Sequence, residues 1–376
     1  MSRAASRVIG INLLDILYDS KFVKLQRIFL SVNLVNLNIF LLSQFILIYQ
    51  DPHNLLNGSA LPFFYLSIFY GKLVSVFTRR DDLCRLVLEL NKMFPRSKRD
   101  KFLYNYGFYE KRLKIVIWFL LAANSFSVYT FILAPLIQSF VHYYQFGKFA
   151  YHSPTPTGIN DFQDKWLWIY CIVYFHQAYA IHVCSTGIIA SDLLLCHLVS
   201  LLCMLFDYIG KEFRNSKPDF YQRRHLKSTI ELHNKILRMS SIVNKIFGNS
   251  VLLNLAASSF NLCFLGYQIL SEVNGLEVIG RLLLFVSQIF QIACNCYLGT
   301  QLIESSSNIS FSAYELFPNC KDVLCQKSLL LVMERSQRSA VLNAPMISSI
   351  SMETMQKVLR TSFQFFAVLN SVKRYT

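Results

Sequence analysis

Apolar residues fall in long blocks along this chain, and the blocks are too long for strands. A helix needs about 20 mostly apolar residues to cross a hydrocarbon core roughly 30 Å thick. Read with that window, the sequence predicts seven spans, at 28–50, 56–77, 115–141, 166–190, 250–270, 282–303 and 348–369. The last is the least apolar, because Glu353, Lys357 and Arg360 lie in its first half. From 166 to 209 the chain is almost continuously apolar, and 44 residues of helix extend about 66 Å at roughly 1.5 Å per residue. We read this as one span prolonged beyond the membrane, with Asp192 and His197 opening the extension and its apolar face requiring a protein partner. The predicted fold class is an all-α membrane protein, a single seven-helix domain over 1–376.

Charge orients the spans. Lys and Arg are retained on the cytoplasmic side of short loops. Segments 1–27, 78–112, 191–249 and 304–347 hold 28 of the 37 cations, whereas the alternate segments 51–55, 142–165, 271–280 and 370–376 hold 4. The N-terminus is therefore expected inside and, after seven spans, the C-terminus outside. Met1 to Gly10 has no apolar run before Asp15 and Asp19, so no cleavable signal peptide is expected. Composition agrees with this picture. The chain is 53% hydrophobic and 15% aromatic, with a mean hydropathy of +0.36. Only 16% of it is charged, against about 25% in soluble domains. A net charge of +15 on such a chain suits a membrane protein whose cations sit on one side.

The same topology excludes several classes. A G-protein-coupled receptor has seven helices but the opposite orientation, so no G protein is expected. None of the ten cysteines lies in an expected outer loop, which leaves no loop-to-helix disulfide. Cys294 and Cys296 lie about 200° apart on a helix, so they read as packing residues rather than a metal pair. No GxSxG, HExxH, P-loop or dinucleotide motif is present, and the His residues are scattered; no enzyme activity, cofactor or metal is expected. The basic stretch Arg96 to Arg112, interleaved with Phe102, Tyr104, Tyr106, Phe108 and Tyr109, stands beside the third span. It reads as an interfacial segment facing anionic membrane lipid rather than nucleic acid. Asn57-Gly58-Ser59 is a candidate glycosylation site in the first outer loop, whereas Asn308 falls inside.

In the last helix Thr361, Gln364, Val368 and Ser371 recur at spacings of three, four and three, which places them on one face. A polar stripe in a membrane helix must face protein or water.

The C-terminal third carries a family resemblance. Cys296-Tyr-Leu-Gly-Thr-Gln-Leu302 is followed by Glu304-Ser-Ser-Ser-Asn and Ala313-Tyr-Glu315, then by Met333-Glu-Arg-Ser-Gln337, Ala344, Ile350-Ser-Met-Glu-Thr354 and Leu359 to Leu369. In this order, over about 75 residues, they resemble the signature of insect odorant receptors. Leu298 stands in place of the family's aromatic, Phe363-Gln364 in place of Tyr-Ser, and Phe317-Pro318 where a Trp is common.

That resemblance implies an odorant-gated, non-selective cation channel in the plasma membrane of olfactory sensory neurons. It implies four subunits around a pore lined by the last helix, 348–370, with cytoplasmic segments 191–249 and 304–347 forming an anchor domain. The family's co-receptor carries a large insertion in its second inner loop that this chain lacks, so the chain looks like the odour-tuning subunit of a heterotetramer with that co-receptor. Thr361 and Gln364 then line the pore, with Val368, Ser371 and Val372 at the gate. The cavity for a small, mostly apolar volatile is expected in the outer half among helices two, three, four and six. There the outer ends supply Phe63, Phe64, Tyr65 and Ile68, then Tyr129 and Ile132, then Tyr170, Tyr174 and Phe175, and finally Phe285, Gln288 and Ile289. A gustatory receptor working as a homo-oligomer is the alternative within the superfamily, although its Thr-Tyr and spaced Gln-Phe signature is not reproduced. A transporter would need internal repeats with helices broken at midplane, which Pro135 and Gly248 do not form.

Overall fold

The computed structural model describes residues 21–50, 60–155, 167–215, 222–271, 275–320, 322–343 and 349–375. These form ten α-helices and one 3-10 turn, with no strand among the described residues. In chain order they are α1 (Lys21–Gln50), α2 (Ala60–Thr78), α3 (Arg80–Met93), α4 (Lys98–Leu103) and α5 (Tyr106–Phe146). Then follow α6 (Leu167–Asn215), α7 (Gln222–Ser271), α8 (Gly275–Leu316), α9 (Val323–Gln337) and α10 (Met352–Tyr375).

Six of them, α1, α2, α5, α6, α7 and α8, are long and apolar enough to cross a membrane. The seventh expected span, α10, is helical but carries Glu353, Lys357 and Arg360, as its sequence foretold. It begins at Met352, after the non-helical residues 349–351, where Ile350 N–H donates to Leu342 O at 2.7 Å. The local signals elsewhere are ordinary. α3 has Asp81 and Asp82 in its first turn and Lys92 in its last, matching the helix dipole. The Ser97 hydroxyl caps α4 by accepting from Asp100 N–H at 3.0 Å.

α6, α7 and α8 have 49, 50 and 42 residues. At about 1.5 Å per residue each runs more than 60 Å, twice the hydrocarbon thickness, so each leaves the membrane as a continuous helix. α6 is central, packing on α1, α2, α5, α7 and α8. Its extension was expected to need another protein. Instead the same chain covers it: Leu202, Phe206, Ile209 and Phe213 are fully buried in one cluster with Ile236, Val243, Leu302, Ala313 and Leu329. The reason is that α7 and α8 extend equally far and α9 packs onto α8.

The cation-rich segments meet at this end. Lys245 pairs with Asp82 at 3.3 Å and Lys235 with Glu89 at 3.7 Å. Arg214 pairs with Glu315 at 2.8 Å, and Lys211 Nζ donates to Leu103 O at 3.4 Å. At the other end α1 exposes Val32, Val35, Ile39 and Phe45, and α5 exposes Trp118, Phe126, Leu133 and Phe140. An apolar surface this continuous is unstable in water and suits lipid.

Candidate functional site

The part of the bundle away from the basic segments encloses an apolar cavity of about 60 Å³. Its walls come from six helices and a loop. α1 gives Phe40; α2 gives Leu61, Pro62, Tyr65 and Leu66; α5 gives Val128 and Phe131. The loop before α6 gives Thr155, and α6 gives Ala180, Ile181, Cys184 and Ser185, with Leu265 from α7 and Leu284 from α8 closing the ring. The space exists because α6 presents small side chains there. Ala180, Cys184 and Ser185 are buried, yet they fill less volume than the residues around them. Ser185 is polar only in name: its hydroxyl donates to Asn124 Oδ1 at 2.9 Å and accepts from Asn124 Nδ2 at 2.7 Å.

Of the twelve expected ligand contacts, Tyr65 lines this cavity. Phe64 and Ile68 belong to the neighbouring cluster around Leu66 and Phe69, with the Phe64 ring stacked on Phe260 at 5.3 Å. Phe285 packs against Leu61, Leu265 and Leu284, one layer behind the wall. Ile289 packs into the large core cluster. Phe63, Tyr129 and Phe175 are exposed on the bundle surface. Tyr174 donates its hydroxyl to Ile132 O and ties α6 to α5, whereas Tyr170 donates to His152 O at 2.8 Å and ties α6 to the segment that follows α5. The proposed glycosylation site Asn57 lies outside the described residues.

Gln288 has a different setting. It is buried and donates to Ser258 Oγ at 2.6 Å and to Gln291 Oε1 at 3.1 Å. Gln291 in turn donates to Asp192 Oδ2 at 2.7 Å, and Asp192 Oδ1 forms an ion pair with Lys72 at 2.5 Å. Both charged side chains are only 4% exposed. The pair lies about two turns below the cavity: Lys72 follows Tyr65 on α2, Asp192 follows Ser185 on α6, and Gln291 follows Leu284 on α8. A charged pair so deep in a membrane bundle is stable only because each partner satisfies the other and the amides satisfy the rest. Asp192 stands at the start of the expected extension and Lys72 within the expected span 56–77; their pairing, 120 positions apart, carries no local signal.

The last helix is held by one face. Met355, Val358 and Leu359 pack on the core, Ser362 Oγ contacts Ser259 Oγ at 2.9 Å, and Phe366 lies against Gly266. The stripe Thr361, Gln364, Val368 and Ser371 points away from the subunit and is exposed, Val368 at 59%. The Val372 side chain is outside the described set. The Cys-Tyr-x-Gly-Thr box explains how α10 starts. A Cβ on Gly299 would collide with Ile350 O, so only glycine admits the chain there, and Thr300 Oγ1 accepts the Met352 N–H at 3.0 Å. The serine segment that follows does similar work, with Ser306 Oγ accepting from Ala340 N–H at 2.9 Å.

A many-pass helical membrane protein with an apolar cavity between its helices, and a separate helix presenting a polar stripe outward, has the form of a receptor for small apolar molecules. The family-wide sequence profile described as 7tm odorant receptor matches residues 56–363, and the chain belongs to that family, which is one of receptors and not of enzymes. It is 27% identical to odorant receptor 85c of Drosophila melanogaster over 349 residues, covering 90% of each chain. It is 28% identical to odorant receptor 67c of the same fly over 365 residues, covering 92% of this chain and 88% of the relative. Among solved structures, the insect olfactory receptor OR5 from Machilis hrabei superposes with a TM-score of 0.78 at 16% identity, over 99% of this chain and 97% of that one. The same receptor in complex with eugenol gives 0.79, over 98% of each. At such identity the likeness establishes the fold.

Proposed function

We propose that this chain is the odour-tuning subunit of a non-selective cation channel in the plasma membrane of olfactory sensory neurons, assembled as a heterotetramer with a co-receptor subunit. The observation that carries the reading is a shared framework. Leu265 and Leu284 line the cavity from α7 and α8, and α10 packs on those same two helices. The N-terminus is cytoplasmic, since the cation-rich segments converge on one end. There the ends of α6 and α8 with the start of α7 and α9 form the anchor.

The ligand is a small, mostly apolar volatile; eugenol, held by the Machilis receptor, is an example of the class. Its binding energy comes chiefly from buried apolar area, at about 25 cal/mol per Å². A cavity of about 60 Å³ is far below the roughly 300–1,000 Å³ of ordinary ligand pockets. Occupancy therefore requires the walls to move apart, and a ligand that fits only the expanded form shifts the population toward it. The Lys72–Asp192–Gln291 network holds α2, α6 and α8 together below the cavity, so displacement falls on the cavity side of that network, in α7 and α8 around Leu265 and Leu284, and passes to the α10 they carry. Thr361 and Gln364 line the pore, and Val368, Ser371 and Val372 form the constriction. An apolar ring at Val368 closes the path by dewetting, and splaying of α10 rewets it.

The test is to record odour-evoked current from cells expressing this chain with and without the co-receptor. Current that needs both subunits supports the tuning role. Current from this chain alone would assign it to a homo-oligomeric channel instead.

A further inference from the structure

We propose that Thr155 is the specificity-determining contact of the cavity, and that the receptor is tuned to oxygenated volatiles whose oxygen accepts a hydrogen bond from the Thr155 hydroxyl. The inference rests on the cavity being the odorant site and adds the chemical class of ligand. Thr155 lies in the loop before α6, lines the cavity and is 1% exposed. Its Oγ1 is buried and has no hydrogen-bond partner. The backbone at this position is fixed, because Thr155 O accepts from Ser153 Oγ at 2.8 Å and from Gln177 Nε2 at 3.3 Å. The loop is thus anchored to α6 through the carbonyl, which leaves the buried hydroxyl as the unused donor of a residue that lines the cavity. Gln177 Oε1, on the same anchoring amide, is also buried and unpartnered.

A buried hydroxyl without a partner carries a desolvation penalty that a pure hydrocarbon wall would avoid. The cavity's other small polar group, Ser185, is already satisfied by Asn124. Thr155 is therefore a buried hydroxyl that gains a bond when an oxygen-bearing ligand enters, beside the Tyr65 phenol that also lines the cavity. A ligand of equal shape without that oxygen leaves the hydroxyl stranded, and sites built this way discriminate strongly against it. Carbonyl, ester and alcohol oxygens all accept from a hydroxyl. The rest of the molecule meets Leu61, Leu66, Val128, Phe131 and Leu284.

The experiment compares shape-matched pairs on the co-expressed channel: acetophenone against alpha-methylstyrene, hexanal against heptene, and hexanol against heptane. The oxygenated members should activate at lower concentration than their partners. Thr155→Val should raise their half-maximal concentrations about tenfold while leaving the hydrocarbons unchanged or improved. Thr155→Ser, which keeps the hydroxyl, should retain the discrimination, and surface labelling of each variant checks that it is made and delivered. Equal potency within pairs, an equal shift of both classes in Thr155→Val, or no activation by any oxygenated member would overturn the proposal. Filling the cavity with Ala180→Phe separates the two readings. If both classes survive that change, the cavity reading fails; if both are lost but Thr155→Val is neutral, only the Thr155 assignment fails.

Discussion

The two ends of this bundle use the same helices in opposite ways. Toward the basic segments, α6, α7, α8 and α9 interdigitate around Phe206, Ile209, Phe213 and Phe247, all at most 1% exposed. Toward the cavity, α6 carries Ala180, Cys184 and Ser185, and the surrounding helices do not close over them. α1 and α5 face outward there with large exposed apolar side chains. At the basic end α6, α7, α8 and α9 pack closely on one another, although a groove of about 350 Å³ opens beside them between α3, α5 and α6; at the other end six helices leave a small apolar cavity. Lys72 and Asp192 stand between them, a buried pair separating the close-packed helices from the cavity.

The division can be broken at its strongest point first. Phe206→Ala, at a fully buried site in the close-packed end, should destabilise the protein by about 4–5 kcal/mol, read as a lower midpoint of unfolding in detergent and as loss of surface protein. Lys72→Met should destabilise by about 3–4 kcal/mol, because Asp192 is left as an uncompensated buried charge. Adding Asp192→Leu should restore most of that stability while altering odour-evoked gating; failure of the double variant to recover would show that the pair does more than neutralise itself. The sharpest comparison uses one substitution in two places. Ala313 and Ala180 are both fully buried, but only Ala180 borders the cavity. Ala313→Leu should overpack the tight end and destabilise by about 1–3 kcal/mol, whereas Ala180→Leu should change stability by less than about 1 kcal/mol. Equal effects in a thermal unfolding assay would erase the distinction between the two regions.

The sequence made the helical architecture legible because membrane spans depend on block hydrophobicity, a local property. The prolongation of the fourth span was readable from its unbroken apolar run, and α6 does continue to Asn215. Its covering was not, since the contacts come from α7 and α8 residues far along the chain. The site was less legible for a different reason. Large aromatics at the outer helix ends are the expected ligand contacts, but aromatics fill space, and Tyr170 and Tyr174 tie α6 to neighbouring segments. A cavity forms where side chains are small, so the informative signal was Ala180, Cys184 and Ser185 on one face of α6. Phe131 lines the wall, one position from the expected Ile132, because a single step on a helix turns the side chain by about 100°. The stripe on α10 was readable because its period is local, and its four described members do share the exposed face.

The central claim is that the cavity holds the volatile and drives α10. It is tested most directly by the odour dose–response of Ala180→Phe, recorded with the co-receptor and normalised to surface protein. A phenyl ring there fills the space without touching α10, so odour-evoked current should disappear while surface protein remains at the level of the unmodified receptor. An unchanged dose–response at normal surface expression would contradict the account.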